Sequence, residues 1–348
     1  MKRIRTAIIG MGRMGRTRYD AMMRHGGYEV VAVCDSDGRA LGGFREQAYT
    51  DWQECLDEIK PEAVVVCTVN RVIPDVVCHA LERGIAVFSE KPPGRTLDDA
   101  LRMQEAQERT GGILKFGFNH RMHESVIEAK ALVDSKILGE IVCVRGVYGK
   151  AGNENFAREW RNRKDLSGGG ILLDQGIHML DLMCYLTRSD LHVVNASVGH
   201  LVWKELETED SAFAMLETDR GQPVSLHSNA IQWRHKFDMD IICTDGCIAL
   251  NGLLTSTRSY GEERISYYRK DLAMRTGRLG KPKEYTMCFD EDHSWDYEMA
   301  EFYIVVAEGA PVANGRPDEA VRVMRLVQEI YECGKGGGKG SRFCACQS

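Results

Sequence analysis

Along the first third of the chain, short apolar runs alternate with stretches that are apolar on one side only. "RTAIIG", "YEVVAVCD", "AVVVCTV", "AVFSEK" and "ILKFGFN" are too apolar to keep one face wet, and they read as buried strands. Between them, "RTRYDAMMRH", "DWQECLDEI", "PDVVCHALERG" and "TLDDALRMQEAQERTG" read as helices; the last has Thr96 as its N-cap and Gly111 past its end. Strand and helix in strict alternation predict a parallel sheet covered by helices on both sides.

Beyond residue 140 the period changes to two. "IVCVRGVYG", "VVNASVGHLVW", "SAFAMLET", "PVSLHSNAIQW" and "FDMDIICTDGCIAL" alternate apolar with polar positions and are separated by turn residues, as in an antiparallel sheet. Two helices follow, "SWDYEMAEFYIVVAEG" and "PDEAVRVMRLVQEIYECG", the second started by Pro317 and Asp318 and closed by Gly334. These helices are expected to cover one face of the sheet and to leave the other for a second subunit. The 348 residues are long for a single core. The expected division is a dinucleotide-binding domain over 1–120, an α+β domain over 121–333 and a glycine-rich, disordered tail over 334–348 that carries Cys344 and Cys346.

Composition narrows the function classes. At 43% hydrophobic and 28% charged the chain is an ordinary globular protein. A net charge of -6 gives no electrostatic reason to expect nucleic acid or an anionic membrane as partner. No apolar run approaches the roughly 20 residues that span a bilayer. The 12 cysteines form no metal-ligand or disulfide grid. Cys34, Cys55, Cys67, Cys78, Cys143 and Cys184 fall in core-like segments, and Cys243 and Cys247 bracket a turn with no second pair to complete a zinc site. Unpaired cysteines without a signal region fit a cytoplasmic protein.

Candidate chemistry begins at "GMGRMG". Gly10, Gly12 and Gly15, with Arg13 and Met14 between the last two, follow the first strand and open the first helix. Gly10 permits a tight turn, Gly12 lets a pyrophosphate approach the backbone, and Gly15 lets helix and strand pack closely. The helix N-terminus adds free N–H groups and partial positive charge. Asp35, about 20 residues on, ends the second strand where a ribose hydroxyl needs an acceptor. A carboxylate there repels a 2′-phosphate, and Ser36 and Asp37 add no positive charge, so NAD is favoured over NADP. In "SEKPPG", Glu90 and Lys91 stand just after a strand, and Pro92 forces a turn that presents the ammonium in a fixed direction. In "GGGILLDQGIHMLDL", a helix would set Asp174 and His178 one turn apart on one face, with Asp181 beside His178. Gly168 to Gly170 would let the chain approach a ligand closely.

"GMGRMG", "EKPPG", "GFNHR" and "GGGILLDQGIHMLDL", in this order and spacing, resemble the glucose–fructose oxidoreductase/inositol dehydrogenase/MocA family to about residue 332. The resemblance implies an N-terminal Rossmann domain and a C-terminal α+β domain whose open mixed, mostly antiparallel sheet commonly forms the oligomer interface. It implies an NAD(P)-dependent dehydrogenase or reductase of sugars, nucleotide sugars or inositols. Lys91 would contact substrate and nicotinamide ribose, Asp174 would orient substrate and His178 would transfer the proton. Thr68 and Asn70 match the turn at the nicotinamide half, although Val69 replaces the usual proline and Ile73 stands where a histidine often follows. Glu90 would line the cofactor.

Softer candidates surround these. Asn119, with His120, Arg121 and His123, falls where the first domain ends; Asn119 is expected beside the cofactor, and Arg121 either meets a phosphate or carboxylate or forms a salt bridge. "REWRNRKD" places Arg158, Trp160, Arg161, Arg163 and Lys164 ahead of the D-x-x-x-H segment. Trp160 and Arg161 suit a substrate contact, and an anionic sugar above all. No metal is expected. The partners expected are a sugar-type small molecule and a second copy of the chain, as homodimer or homotetramer. Two other readings remain: an NAD-dependent glycosidase that oxidises its sugar transiently, and a non-catalytic NAD-binding sensor.

Overall fold

The computed structural model describes residues 2–335 apart from 256, 276, 278 and 279. The tail with Cys344 and Cys346, and with it the expectation of disorder, lies outside the described residues. In chain order the elements begin β1 Ile4–Ile9, α1 Arg13–His25, β2 Tyr28–Cys34, β3 Gln47–Tyr49, α2 Trp52–Ile59, β4 Ala63–Val66, α3 Ile73–Glu82, β5 Ala86–Glu90, α4 Leu97–Thr110 and β6 Leu114–Gly117. Next come α5 Glu124–Ser135, β7 Ile141–Gly149, α6 Lys164–Ser167, α7 Ile177–Thr187, β8 Leu191–Gly199, β9 Ser211–Thr218, β10 Pro223–Asn229 and β11 Lys236–Cys243. The chain continues with β12 Gly246–Asn251, β13 Glu263–Arg269, α8 Lys270–Arg275, β14 Glu284–Phe289, α9 Ser294–Glu308 and α10 Pro317–Lys335.

The chain divides into two compact units that do not follow a single cut. The first holds Met1–Ile127, Arg163–Gly168 and Glu291–Met324, and the second holds Glu128–Asn162, Gly169–Asp290 and Arg325–Ser348.

In the first unit six parallel strands stand in the order β3-β2-β1-β4-β5-β6. The order reverses between β1 and β4, and open α/β sheets bind ligands beyond the carboxyl ends of their strands at such a point. Thr96 caps α4 by accepting from the Asp99 N–H at 3.2 Å, and Gly111 ends it in the left-handed region. Helix α9, expected on the second sheet, packs here instead, against α1. Its Met299, Phe302 and Tyr303 join Ile8, Tyr28 and Phe88 in one core, and the Tyr28 hydroxyl donates to the Met299 carbonyl at 2.6 Å.

The second unit is an eight-stranded sheet in the order β14-β13-β12-β11-β7-β10-β9-β8. β7 and β10 run parallel at its centre, and the other pairs are antiparallel. Burial alternates along β9 from Ala212 on and along β11, so one face is buried and the other exposed or half-buried. Helix α7 is buried nearly all round and lies on the closed face, where Met179 and Met183 pack over Gly146. β13 and β14 extend the sheet beyond the strands expected from the sequence. Gly334 does not close α10: it lies inside the helix, where its bare backbone packs on Val198.

Candidate active site

The glycine loop of the first unit has the shape that a dinucleotide requires. Gly10 turns the chain at φ +96°, and a Cβ there would strike the main chain of Cys67 just after β4. A Cβ on Gly15 would strike the Gly10 carbonyl. Gly12, the N-cap of α1, is different: nothing lies within 4 Å of where its Cβ would stand. No side chain caps α1 and no acidic residue lies in its first turn, so the positive end of the helix faces that open space. Arg13 is exposed and Met14 half-buried at the same turn.

Asp35 stands beside the loop. One carboxylate oxygen accepts from the Met11 N–H at 2.7 Å and the other from the Asp37 N–H at 2.9 Å, so the carboxylate is held in place at the end of β2. Arg39, the nearest cation in sequence, closes on Asp37 through Nε at 2.9 Å and Nη2 at 2.8 Å. Its charge is matched there, which leaves a 2′-phosphate little to attract it. These residues fit NAD.

The other residues expected in this unit sit deeper than the sequence suggested. Glu90 is buried at the end of β5 and accepts from Arg18 Nε at 2.7 Å, while Arg18 also reaches Glu298 at 2.6 Å. The Arg18 guanidinium lies 4.3 Å from the Phe88 ring centre and 4.6 Å from that of Trp295. Burial opposes its charge, but Glu90 and Glu298 raise its pKa above the ordinary arginine value. Lys91 follows half-buried, with a cis peptide bond to Pro92.

The Thr68 hydroxyl donates to the Val69 carbonyl at 3.3 Å. Asn70 is buried and its amide donates to the Ser167 carbonyl at 2.8 Å. Asn119 likewise serves the protein, donating to the Ser294 hydroxyl at 3.1 Å and lying 3.1 Å from His120 Nδ1. Arg121 is 1% exposed and pairs with Glu319 of α10 at 3.0 Å, the salt bridge that was one of its two alternatives.

The second unit brings together Asp174, His178, Trp160 and Arg161. The segment before α7 is not a plain α-helix. Leu172–Gly176 forms a π turn, and the Ile177 N–H donates back to the Leu172 carbonyl five residues earlier. Asp174 therefore lies in the wide turn and His178 at the start of α7. Such insertions are frequent at functional sites.

One Asp174 oxygen accepts from Arg161 Nε at 3.2 Å; the other faces Lys150 Nζ at 3.8 Å and accepts from the Gln175 amide at 3.3 Å. Arg161 lies 4.6 Å over the Trp160 ring. Lys150 is also 3.9 Å from Glu159 and lies over Phe156. The buried His178 ring is 6.4 Å from that of Tyr148, whose phenol is pushed up by burial, Tyr260 and Asp174. The buried Asp181 follows three residues on.

The glycines ahead of the turn are packed against the protein, contrary to the close approach to a ligand expected of them. A Cβ on Gly168 would strike Arg95, one on Gly169 the Tyr331 hydroxyl, and one on Gly170 the Glu209 carbonyl.

Sequence reasoning missed Tyr148 and Lys150 at the end of β7, and Glu209 between β8 and β9. The signal for the first two was the parallel pairing of β7 with β10, which sets their carboxyl ends side by side; period-two alternation does not reveal strand direction.

Among the described residues no cluster of His, Cys, Asp or Glu could hold a metal ion, and no helix is long and apolar enough to cross a membrane. Burial pushes the Cys34 and Cys55 thiols up to about 12 and Cys243 to about 11, so they are poor nucleophiles.

Comparison with known proteins agrees with this geometry. Residues 4–118 match the family described as oxidoreductase, NAD-binding Rossmann fold, and residues 126–249 match the GFO/IDH/MocA C-terminal domain. D-glucoside 3-dehydrogenase of Escherichia coli (strain K12) is 33% identical over 190 residues, 53% of this chain and 54% of that protein. The match thus spans about half of that relative's length. The scyllo-inositol 2-dehydrogenase (NAD(+)) of Bacillus subtilis (strain 168) is 25% identical over 262 residues, 72% of this chain and 74% of the relative. A solved levoglucosan dehydrogenase in complex with NADH superposes with a TM-score of 0.84 at 19% identity, covering 96% of this chain and 98% of that one, which shows the shared fold. With both of its parts matched in order, the chain belongs to the GFO/IDH/MocA family of oxidoreductases, with an NAD-binding Rossmann domain.

Proposed function

We propose that this oxidoreductase moves a hydride between nicotinamide and a secondary alcohol or ketone of a sugar or inositol, with Lys91 and His178 as catalytic groups and Asp174 orienting the substrate. Bound nicotinamide supplies the hydride acceptor or donor. The protein's own task is to hold the hydroxyl and take its proton. Imidazole, with an ordinary pKa near 6.5, suits that transfer around neutral pH, and the Lys91 ammonium stabilises the charge that develops on oxygen.

The observation that carries this reading is the setting of Asp174. Arg161 and Lys150 fix its two oxygens one turn before His178, so it is a preset acceptor for a substrate hydroxyl. The same setting bears on substrate charge. Arg161 and Lys150 are balanced by Asp174 and Glu159, and Arg163 lies 3.4 Å from Asp165. An anionic sugar gains little from cations already paired, so the substrate proposed is an uncharged polyol ring. The names of the relatives, a glucoside and an inositol dehydrogenase, point the same way.

We also propose a homodimer or homotetramer built on the open face of the second sheet. Phe213 and Met215 are 45% and 50% exposed there, beside Val147 and His227 on neighbouring strands. Light scattering at micromolar concentration tests this, and a monomer contradicts it.

The test of function is NADH formation at 340 nm with a panel of inositols, glucosides, sugar phosphates and sugar acids. Turnover with neutral rings and NAD is expected. Turnover confined to phosphorylated or acidic sugars overturns the substrate class, and an aglycone released without net NADH identifies a glycosidase.

A further inference from the structure

Glu209 is 8% exposed and lies in the crossing from β8 to β9, far in sequence from the D-x-x-x-H segment. Its carboxylate accepts three hydrogen bonds: from the Gly170 N–H at 2.9 Å on one oxygen, and from the Leu172 N–H at 3.0 Å and the Tyr331 hydroxyl at 2.8 Å on the other. Its own carbonyl accepts from the Ile171 N–H at 3.2 Å. One residue therefore binds three successive backbone N–H groups, 170 to 172, just where the π turn begins. On the other side the Ser228 hydroxyl donates to the Ile171 carbonyl at 3.0 Å.

A π turn holds one residue more than an α-helical turn in the same helical span. The segment thus has a competing arrangement in which the extra residue is drawn into regular α-helix. Each residue of α-helix turns the chain by about 100°, so a one-residue slip would swing every later side chain off its face. Asp174 and His178 point where they do only if the start of the turn is pinned. Gly169 and Gly170 show how tight the pin is, since neither has room for a Cβ.

Packing alone does not call for a carboxylate in this place. Burial drives its pKa up even against the bonds from Tyr331, Leu172 and Gly170. An uncharged group of the same size would fill the space at lower desolvation cost but could not accept from two diverging N–H groups and a hydroxyl together.

We propose that Glu209 is a positioning residue: by claiming the N–H groups at the start of the π turn it sets the register of the segment, and so the direction of Asp174 and His178. The role in turnover rests on the reading of Asp174 and His178 given above; the register itself does not. The neighbouring Asp210 acts in the same manner on the other side, accepting from the Leu201, Val202 and Trp203 N–H groups at 2.7–2.8 Å. Trp203 packs on Phe156, over which Lys150 lies, so this Glu–Asp pair grips both the turn and the loop beside it.

The experiment compares Glu209→Gln and Tyr331→Phe with the wild-type full-length protein. Its readouts are NAD affinity, kcat and KM on the best neutral ring from the panel, and amide hydrogen exchange across residues 170–178. Glu209→Gln is expected to keep NAD affinity, lower kcat/KM roughly tenfold to a hundredfold, as displaced catalytic groups do, and speed exchange at 170–178 selectively. Tyr331→Phe, which loses one bond, should do the same by about twofold to tenfold. A folded Glu209→Gln protein with wild-type kcat/KM and unchanged exchange overturns the proposal. If that variant does not fold, Tyr331→Phe decides by the same two measurements. If the wild type oxidises no sugar, the functional reading fails on its own, and exchange still decides the register: faster supports it and unchanged overturns it.

Discussion

Two glycine-rich stretches each lead into a helix, and they look alike only on paper. At Gly12 the backbone is bare, the helix start is uncapped, and space lies open beyond it. At Gly168 to Gly170 every missing side chain is replaced by a neighbour of the same chain, and a buried glutamate holds the N–H groups. The first stretch leaves its partial positive charge for a ligand's phosphate. The second uses the same helix-end chemistry internally and turns it into geometry. Glycine in a functional segment thus has two distinct meanings, room for a ligand or room for the protein, and what stands within 4 Å separates them.

The largest effect that would break this comparison belongs to the second stretch. If its packing serves catalysis, His178→Ala should retain NAD affinity and lose turnover by roughly 10²–10⁴-fold, and Lys91→Ala should lose at least as much. Asp174→Ala should raise KM as well, because it removes a contact already made in the bound ground state. Steady-state kinetics with NAD titrations check all three, and near-normal turnover of His178→Ala withdraws the assignment.

The glycines themselves sharpen the contrast. Gly170→Ala should destabilise the protein by about 1–3 kcal/mol, the usual cost of overpacking, since its Cβ meets the Glu209 carbonyl. Gly12→Ala should leave the urea midpoint alone and weaken NAD by about tenfold, or roughly 1.4 kcal/mol, by filling the space a pyrophosphate needs. Opposite outcomes would merge the two stretches into one class. Asp35→Ala should weaken NAD and narrow its margin over NADP, seen in parallel titrations. Equal binding of the two dinucleotides by the wild type would remove the role given to Asp35.

The smallest effect is set by pH. The His227 imidazole, stacked 3.7 Å from Phe213, is pushed down to about 4 by burial. An unfolded histidine, with a pKa near 6.5, takes up a proton that the folded one declines. Stability should therefore fall as pH drops from about 6.5 towards 4, by about 1 kcal/mol at pH 5 once the full linkage value of about 2 kcal/mol is discounted for solvent screening of a half-buried ring. His227→Leu should flatten that fall in urea titrations at pH 7 and 5, and an unchanged slope would mean that other groups carry it.

How much of this could be read from the sequence follows from the range of each signal. Caps are local, so Thr96 and Gly111 mark α4 correctly. The glycine loop and Asp35 are short-range motifs and stand where expected. β14 was invisible because its residues are almost all exposed and leave no buried side for a pattern to record. The sequence left two alternatives open for Arg121 because its partner, Glu319, comes from α10, about 200 residues further along the chain. The π turn was missed because one inserted residue leaves the apolar spacing of "ILLDQGIHMLDL" intact while changing its hydrogen bonds. Lys150 was missed because its place depends on two strands running parallel.

The ion pair of Arg18 with Glu298 closes a gap of 280 residues, and with it α9 completes the core of the unit that begins the chain. A ribosome adding about 5–20 residues per second needs roughly 15–55 s to cover that distance. Until then the nascent sheet has β1 to β6 but no α9 against α1, and a guanidinium whose second carboxylate has yet to be made. The core of the nucleotide-binding unit therefore cannot be completed until α9 has been synthesised.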